Sequence, residues 1–346
     1  MNVPHATQAD SSSAVKVSIL MPVFNAESTL HECLRSIFSQ TLEDFELIAI
    51  DDGSTDDSVG VLKSYDDPRV RVIHNQHKGI VSALNMGLQL CRSDLVARMD
   101  ADDVMVASRL EKQSDLMQAR PSITLCATQA RKFPEQDIRA GFVEYMRWQN
   151  ACLSQQDIND QIYIESPFVH PSVMFRKQRV LDLGAYRDGE FPEDYELWLR
   201  LFQAGESMMK IEEVLLDWRE SDNRLSRTSS RYSAAAFEKL RAEYLARDSR
   251  LQNREIVFWG AGRKTRQRSR YLIDNGITPS AWIDIDSKKT GNEYHGAKTY
   301  MPDWLRQIDH RPFVLNYVRN HGARERCRRF LDDSNYVMGI DYLDVA

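Results

Sequence analysis

The chain has 346 residues, 42% of them hydrophobic and 28% charged, a composition suited to a packed globular core and a length that favours two domains. Its 51 acidic and 45 basic side chains leave a formal charge of −6, which argues against a dedicated nucleic-acid binder, a class that is usually basic. Five scattered cysteines without a CxxC pair speak against a disulfide framework or a zinc site and for a reducing, cytoplasmic setting.

No apolar run approaches the ~20 residues of a membrane helix, and the N-terminus lacks the pattern of a signal peptide. Any membrane contact is therefore expected to be peripheral. Residues 1–14 read as a loose polar tail. Val17, Ile19 and Met21 begin a short strand that Pro22 is expected to stop. Leu30, Cys33, Leu34, Ile37 and Phe38 have helical spacing, with Thr29 and Glu32 placed as a capping box. FELIAI is a second strand, ending in Asp51-Asp52-Gly53, and RVRVIH a third. Gly79 introduces a helix marked by Ile80, Leu84 and Leu88, and Leu95 to Met99 form a fourth strand ending at Asp100. The segment 131–170 reads as irregular, laid over the sheet, with Ser172, Met174 and Arg176 on a strand edge.

Glu193 and Asp194 open a helix that buries Leu197, Trp198 and Leu201. A helical connector is expected over 229–254, with Ala234, Phe237, Leu240, Tyr244 and Leu245 as its stripe. A second unit, 255–346, starts with EIVFWGAG and continues through a helix containing Tyr271 and Leu272, the strand AWIDID, the strand PFVLNYV and a basic helix with Arg324, Arg326, Arg328 and Arg329. The predicted fold class is α/β: a mixed, mainly parallel sheet flanked by helices over 15–228, then a smaller α/β domain. Ligands of such sheets lie beyond the carboxyl ends of the strands.

Three acidic clusters fall at such ends: IAIDDGSTDDS, ARMDADD and FPEDYELWLR. Crowded carboxylates repel one another unless a cation or hydrogen-bond donors neutralise them. Hard oxygen ligands suit Mn²⁺ or Mg²⁺, which are typically shared between one or two carboxylates and substrate phosphates. Any one cluster alone reads first as a solvated acidic turn or a charged helix start; together they point to a site.

MPVFNAE, IAIDDGSTDDS, HKGIVSALNMGL, ARMDADD, FVHPSVMFRK and FPEDYELWLR resemble, in order, the motifs of family 2 glycosyltransferases, over roughly residues 15–230. The resemblance implies a glycosyltransferase A-type fold, a nucleotide-diphosphate sugar donor (a UDP-sugar foremost), a divalent metal, inversion at the anomeric carbon, and a glycan or lipid-linked acceptor in envelope polysaccharide assembly. Pro22, Phe24 and Glu27 match the nucleoside pocket, Phe24 being otherwise a core residue. Asp52 matches the base-reading aspartate, with Asp51 orienting the loop through backbone donors. Lys78 precedes a helix start suited to phosphate. Asp102 is the foremost metal ligand, Asp103 a second, and Asp100 a ribose contact or metal support. Asp194 matches the catalytic base, with Glu193 as the weaker candidate. His170 falls near the donor or acceptor pocket, or is structural. Arg219, followed by Arg224 and Arg227, matches a late loop over the diphosphate, or is a solvated basic loop. The QxxRW pattern of processive members is missing, which argues against a polymer-extruding synthase.

In the second unit, Gly260, Gly262 and Asp284 make a partial dinucleotide fingerprint whose third glycine is replaced by Thr265. It resembles small Rossmann-like domains. Three roles compete: binding NAD or a nucleotide sugar, packing or homodimer formation, and holding an anionic partner on the arginines between Arg263 and Arg270. For the whole chain the alternatives to a transferase are an oxidoreductase or regulatory protein acting through this unit, and a non-catalytic scaffold. A sugar-1-phosphate nucleotidyltransferase would need a glycine-rich basic loop that MPVFNAEST does not supply.

Overall fold

The computed structural model describes residues 15–134, 140–221, 224–320 and 322–346; the tail 1–14 lies outside them. The first unit contains β1 (Val17–Val23), α1 (Glu27–Phe38), β2 (Phe45–Asp51), α2 (Ser58–Ser64), β3 (Val70–His74), α3 (Ile80–Leu90), β4 (Leu95–Arg98), β5 (Val104–Met105), α4 (Arg109–Ala119), β6 (Ile123–Phe133), α5 (Ala140–Ala151), α6 (Gln155–Gln161), β7 (Met174–Arg176), α7 (Lys177–Asp182), α8 (Glu193–Gln203) and β8 (Ser207–Arg219). Its sheet runs β3-β2-β1-β4-β7-β6-β8-β5. The β1–β4 half is parallel, β7 is antiparallel to both neighbours, and β6 and β8 are parallel again.

Both faces of the parallel half are covered, which is why β2 is buried along its whole length. In β1, Val17, Ile19, Met21 and Val23 join the cluster beneath α1, while Leu20 points to the opposite side, the period-2 alternation of a strand. Gly87 in α3 permits close approach to that side: a Cβ there would lie 2.2 Å from Leu20 Cδ1 and 3.0 Å from Ile50 Cγ1. Gly87→Ala is expected to lower stability by about 1–3 kcal/mol through overpacking, despite alanine's better helix propensity. An unchanged urea midpoint would show that the interface relaxes instead.

Four local expectations need correction. Pro22 does not stop β1, since it pairs with Ile50 and Val23 pairs with Asp51. The Leu20 carbonyl accepts Met99 N–H on the β4 side, so Pro22 faces that same side, past the last β4 pair, and its missing N–H breaks no ladder bond. The Thr29/Glu32 capping box does not form. α1 starts at Glu27, its first N–H donates to Asp56 Oδ2 at 3.0 Å, and Thr29 Oγ1 donates to carbonyls. The segment read as irregular contains α5 and α6. α6 carries a Ser154/Asp157 capping box, and α5 lacks a single apolar stripe because Phe142 and Tyr145 pack on one core cluster and Trp148 on the other. β7 is an interior strand between β4 and β6 rather than an edge.

After α9 (Leu225–Thr228) and α10 (Ala234–Leu245) comes the second unit: β9 (Ile256–Trp259), α11 (Arg263–Asp274), β10 (Ala281–Ile283), β11 (Glu293–Tyr294), β12 (Ala297–Tyr300), β13 (Phe313–Asn316), α12 (Ala323–Asp333) and β14 (Tyr342–Asp344). Its sheet order is β11-β12-β10-β9-β13-β14, parallel except for β11. One apolar cluster runs from α3 through Trp198 and Leu240 to Phe258, Leu272 and Trp282 of the second unit. Buried Arg241 ties the units together by donating Nη1 to the carbonyls of Tyr163, Ile164 and Val345. No helix among the described residues is long and apolar enough to cross a membrane, and the five cysteines are free and buried.

Candidate active site

The site assembles at the carboxyl ends of β1, β2, β3 and β4. On the nucleoside side, Phe24 is 49% exposed and so is not a core residue. Its ring packs on His77 with centroids 4.7 Å apart. Glu27 Oε2 accepts the Asp57 N–H at 3.1 Å and so braces the neighbouring loop. Both aspartates after β2 accept backbone N–H donors. Asp52 Oδ1 accepts from Asn75 Nδ2 and Lys78 N–H, and Oδ2 from Gly79 N–H, so Asp52 anchors the entry to α3. Asp51 accepts from Ser54 N–H and pairs with His74 Nδ1 at 3.0 Å. These donors fill three of the roughly four acceptor positions of the Asp52 carboxylate. Lys78 is exposed beside Gly79, whose φ of 85° needs glycine. His77 escaped the sequence reading; the one signal was its place in the HKG turn.

Asp100, Asp102 and Asp103 follow β4, in a turn closed by Asp103 N–H donating to the Asp100 carbonyl at 3.3 Å. Each offers a carboxylate oxygen, all within 4.8 Å of one another. Asp103 is buried; its Oδ1 accepts Arg219 N–H at 2.7 Å, and its Oδ2 has no hydrogen-bond partner among the described residues. Burial, then the Asp100 charge, pushes the Asp102 carboxyl up to about 6. Burial and both neighbouring carboxylates drive Asp103 well above the usual range. An orphaned, buried oxygen in a self-repelling trio fits a divalent cation.

Pairing of β5 with β8 carries Arg219 to this turn. The Arg219 fork is not free for phosphate as expected. Nε donates to the Asp102 carbonyl at 2.6 Å, Nη2 pairs with Glu32, and the guanidinium lies 4.2 Å over the Phe133 ring. It is a strut that holds the acidic turn. Arg224, stacked on Trp218 at 3.9 Å, exerts the larger charge effect on Asp102.

At the start of α8, Glu193 is buried and Asp194 half-buried. Glu193 accepts Tyr232 OH at 2.6 Å and has Arg231 at 3.8 Å. Among the described residues, Asp194 Oδ1 accepts only the adjacent Tyr195 N–H. Burial, then the Glu193 charge, lifts Asp194 to about 7, into the range of a working base. His170 packs inside the fold. It is buried, with Nε2 2.9 Å from Tyr186 OH, its ring edge-on to Trp198, and Nδ1 4.0 Å from Glu193; burial, with help from Arg98, keeps it neutral. Arg98, inside the quoted ARMDADD but assigned no role from sequence, joins the two acidic groups. It pairs with Asp100 at 2.7 Å, and its charge favours the ionised forms of Glu193 and Asp194. In the second unit, Asp284 accepts from Ala261 N–H, Asp286 N–H and Lys289 Nζ, so it is not the free ribose-binding acid the fingerprint suggested.

This sheet order, with an acidic trio at one strand end electrostatically linked to a carboxylate at a helix start, is that of an A-type glycosyltransferase. The fold likeness extends to Staphylococcus aureus TarS, residues 1–349 in complex with UDP-GlcNAc, at a TM-score of 0.54 over 75% of this chain and 79% of that one, with 13% identity. Residues 18–184 match the profile described as Glycosyl transferase family 2. The amylovoran biosynthesis glycosyltransferase AmsE of Erwinia amylovora is 32% identical over 215 residues, covering 61% of this chain and 78% of the relative. A UDP-Gal:alpha-D-GlcNAc-diphosphoundecaprenol beta-1,3-galactosyltransferase of Escherichia coli is 29% identical, covering 66% and 82%. The chain belongs to glycosyltransferase family 2.

Proposed function

We propose that the protein is a metal-dependent, inverting glycosyltransferase that moves a sugar from a UDP-sugar to a hydroxyl of a glycan or lipid-linked acceptor. The observation that carries this reading is the trio with its Asp103 Oδ2, which has no hydrogen-bond partner among the described residues. Asp102 and Asp103 would hold Mn²⁺ or Mg²⁺, with Asp100 kept in place by Arg98. Such a cation, when bound, offsets the charge developing on the departing diphosphate. Phe24 and His77 offer a ring surface to the base. Asp194 takes the proton of the acceptor hydroxyl as it attacks from the face opposite the diphosphate, which inverts the anomeric centre. The relatives' names, one an amylovoran enzyme and one using UDP-Gal on a lipid diphosphate, support a UDP-sugar and a role in polysaccharide assembly.

A thermal-shift screen of UDP-glucose, UDP-galactose, UDP-GlcNAc and GDP-mannose, each with and without Mn²⁺, tests the reading. One donor is expected to raise Tm only with Mn²⁺, and at 100 times its Kd the stabilisation is about 2.7 kcal/mol. No shift with any donor would count against the proposal. Phe24→Ala is expected to weaken that donor about tenfold, at the low end of base-stacking energies of roughly 1–3 kcal/mol, with kcat unchanged. A change in kcat alone would remove Phe24 from the base site.

A further inference from the structure

The second unit contains a cavity of about 330 Å³, within the range of small-molecule pockets (~300–1,000 Å³). It opens beyond the carboxyl ends of β9, β10 and β13. Strand order reverses there, because β10 and β12 lie on one side of β9 and β13 and β14 on the other, the switch point at which open α/β sheets bind ligands. Its walls are apolar and aromatic: Trp259 and Phe330, with ring centroids 5.4 Å apart, together with Val318 and Cys327. Ile285 stands at the mouth, 66% exposed. An apolar side chain that open to water, on the rim of an apolar cavity, leaves surface for a ligand to cover.

Two features give the ligand a charge. Arg326 lines the cavity, is exposed and has no ion pair among the described residues. Next to Gly260, whose φ of 109° permits the tight turn, α11 begins with no side-chain cap and no acidic residue in its first turn. Its opening N–H groups and the flanking Arg263 and Lys264 therefore favour an anion. The fingerprint itself does not explain the site. Thr265 occupies the third glycine position, its methyl 3.0 Å from where a Gly260 Cβ would stand, and the Asp284 carboxylate is already engaged by three donors. No carboxylate trio like that of the first unit lies here among the described residues.

We propose that this cavity is a second, metal-independent site for a nucleoside phosphate, with the base against the Trp259 and Phe330 wall and the phosphate on Arg326 and the start of α11. Recognition comes from base stacking and phosphate charge, without a ribose-reading acid. The proposal is independent of the reading of the first site. Isothermal titration of the full chain in excess EDTA with UDP, GDP, ADP and AMP tests it. At least one is expected to bind at one equivalent per chain. Arg326→Glu is expected to weaken it by roughly tenfold or more, as for loss of a charge-assisted phosphate contact. Ala323→Phe, which fills the cavity from the first turn of α12, is expected to abolish binding. The double substitution Asp102→Ala with Asp103→Ala is expected to leave it intact. Failure of all four nucleotides to bind in EDTA overturns the proposal, as does binding that the first-site double substitution removes or that both cavity substitutions leave untouched. Circular dichroism of each variant verifies folding.

Discussion

Asp194→Asn is expected to reduce kcat by about 10²–10⁴-fold, the usual worth of a positioned general base, while the Mn²⁺-dependent affinity for the donor stays within a factor of about two, because Asp194 is assigned to the acceptor proton and not to the diphosphate. Asn keeps the size of the side chain and its acceptor oxygen for the Tyr195 N–H but cannot take a proton. In the wild type, activity requires the ionised form. kcat/KM should therefore rise as pH increases through about 7, the level to which burial and Glu193 lift the carboxyl, and then level off. The variant should show no such limb. Glu193→Gln removes the neighbouring charge that holds Asp194 up, so the limb should move to lower pH. Stability carries the opposite sign. Between the ordinary carboxyl value of 3.8 and about 7 the folded chain holds a proton that the unfolded chain has released, so this contribution to stability falls as pH rises across that window. Donor binding lost together with turnover in Asp194→Asn would remove Asp194 from the role of base.

Asp102→Ala and Asp103→Ala are expected to cut donor affinity in Mn²⁺ by roughly 100-fold or more, above the cost typical of losing an outer-shell partner of a metal. Calorimetry with and without Mn²⁺ checks this, and equal donor affinity in both conditions for the wild type would reject the metal site. A second effect has the opposite sign. Without metal, Asp102 and Asp103 are carboxylates whose ionisation the fold opposes, so replacing either relieves repulsion. Metal-free Tm is expected to rise for Asp102→Ala although function is lost, the pattern of a site held at a cost to stability. A fall in metal-free Tm would show that the trio is already neutralised within the fold.

Several parts of this architecture were legible before any coordinates. The β1–α1–β2 and β4 segments, and the helix opening at Glu193, have periodic apolar residues, and periodicity is a local property. The acidic trio was legible for the same reason, since Asp100, Asp102 and Asp103 are neighbours in the chain. α5 was not, because its apolar residues serve two core clusters and leave no single stripe. β7 reads as an edge from sequence because nothing in three residues shows that partners arrive on both sides.

Residue types and order were thus enough to establish an α/β fold and the family, and to single out the clustered carboxylates, since each rests on short-range spacing. Only the tertiary structure decided what each side chain is free to do. Arg219 turned from phosphate clamp to strut because Glu32 and the Asp102 carbonyl, distant in sequence, meet its fork. Asp52 became an anchor because the 75–79 loop closes onto it. Arg98 links the acidic trio and Asp194 because β4 ends between Asp100 and the start of α8. Hydrogen-bonding capacity is finite and desolvation depends on surroundings, so the task of a charged residue is set by whichever groups folding brings within a few ångströms.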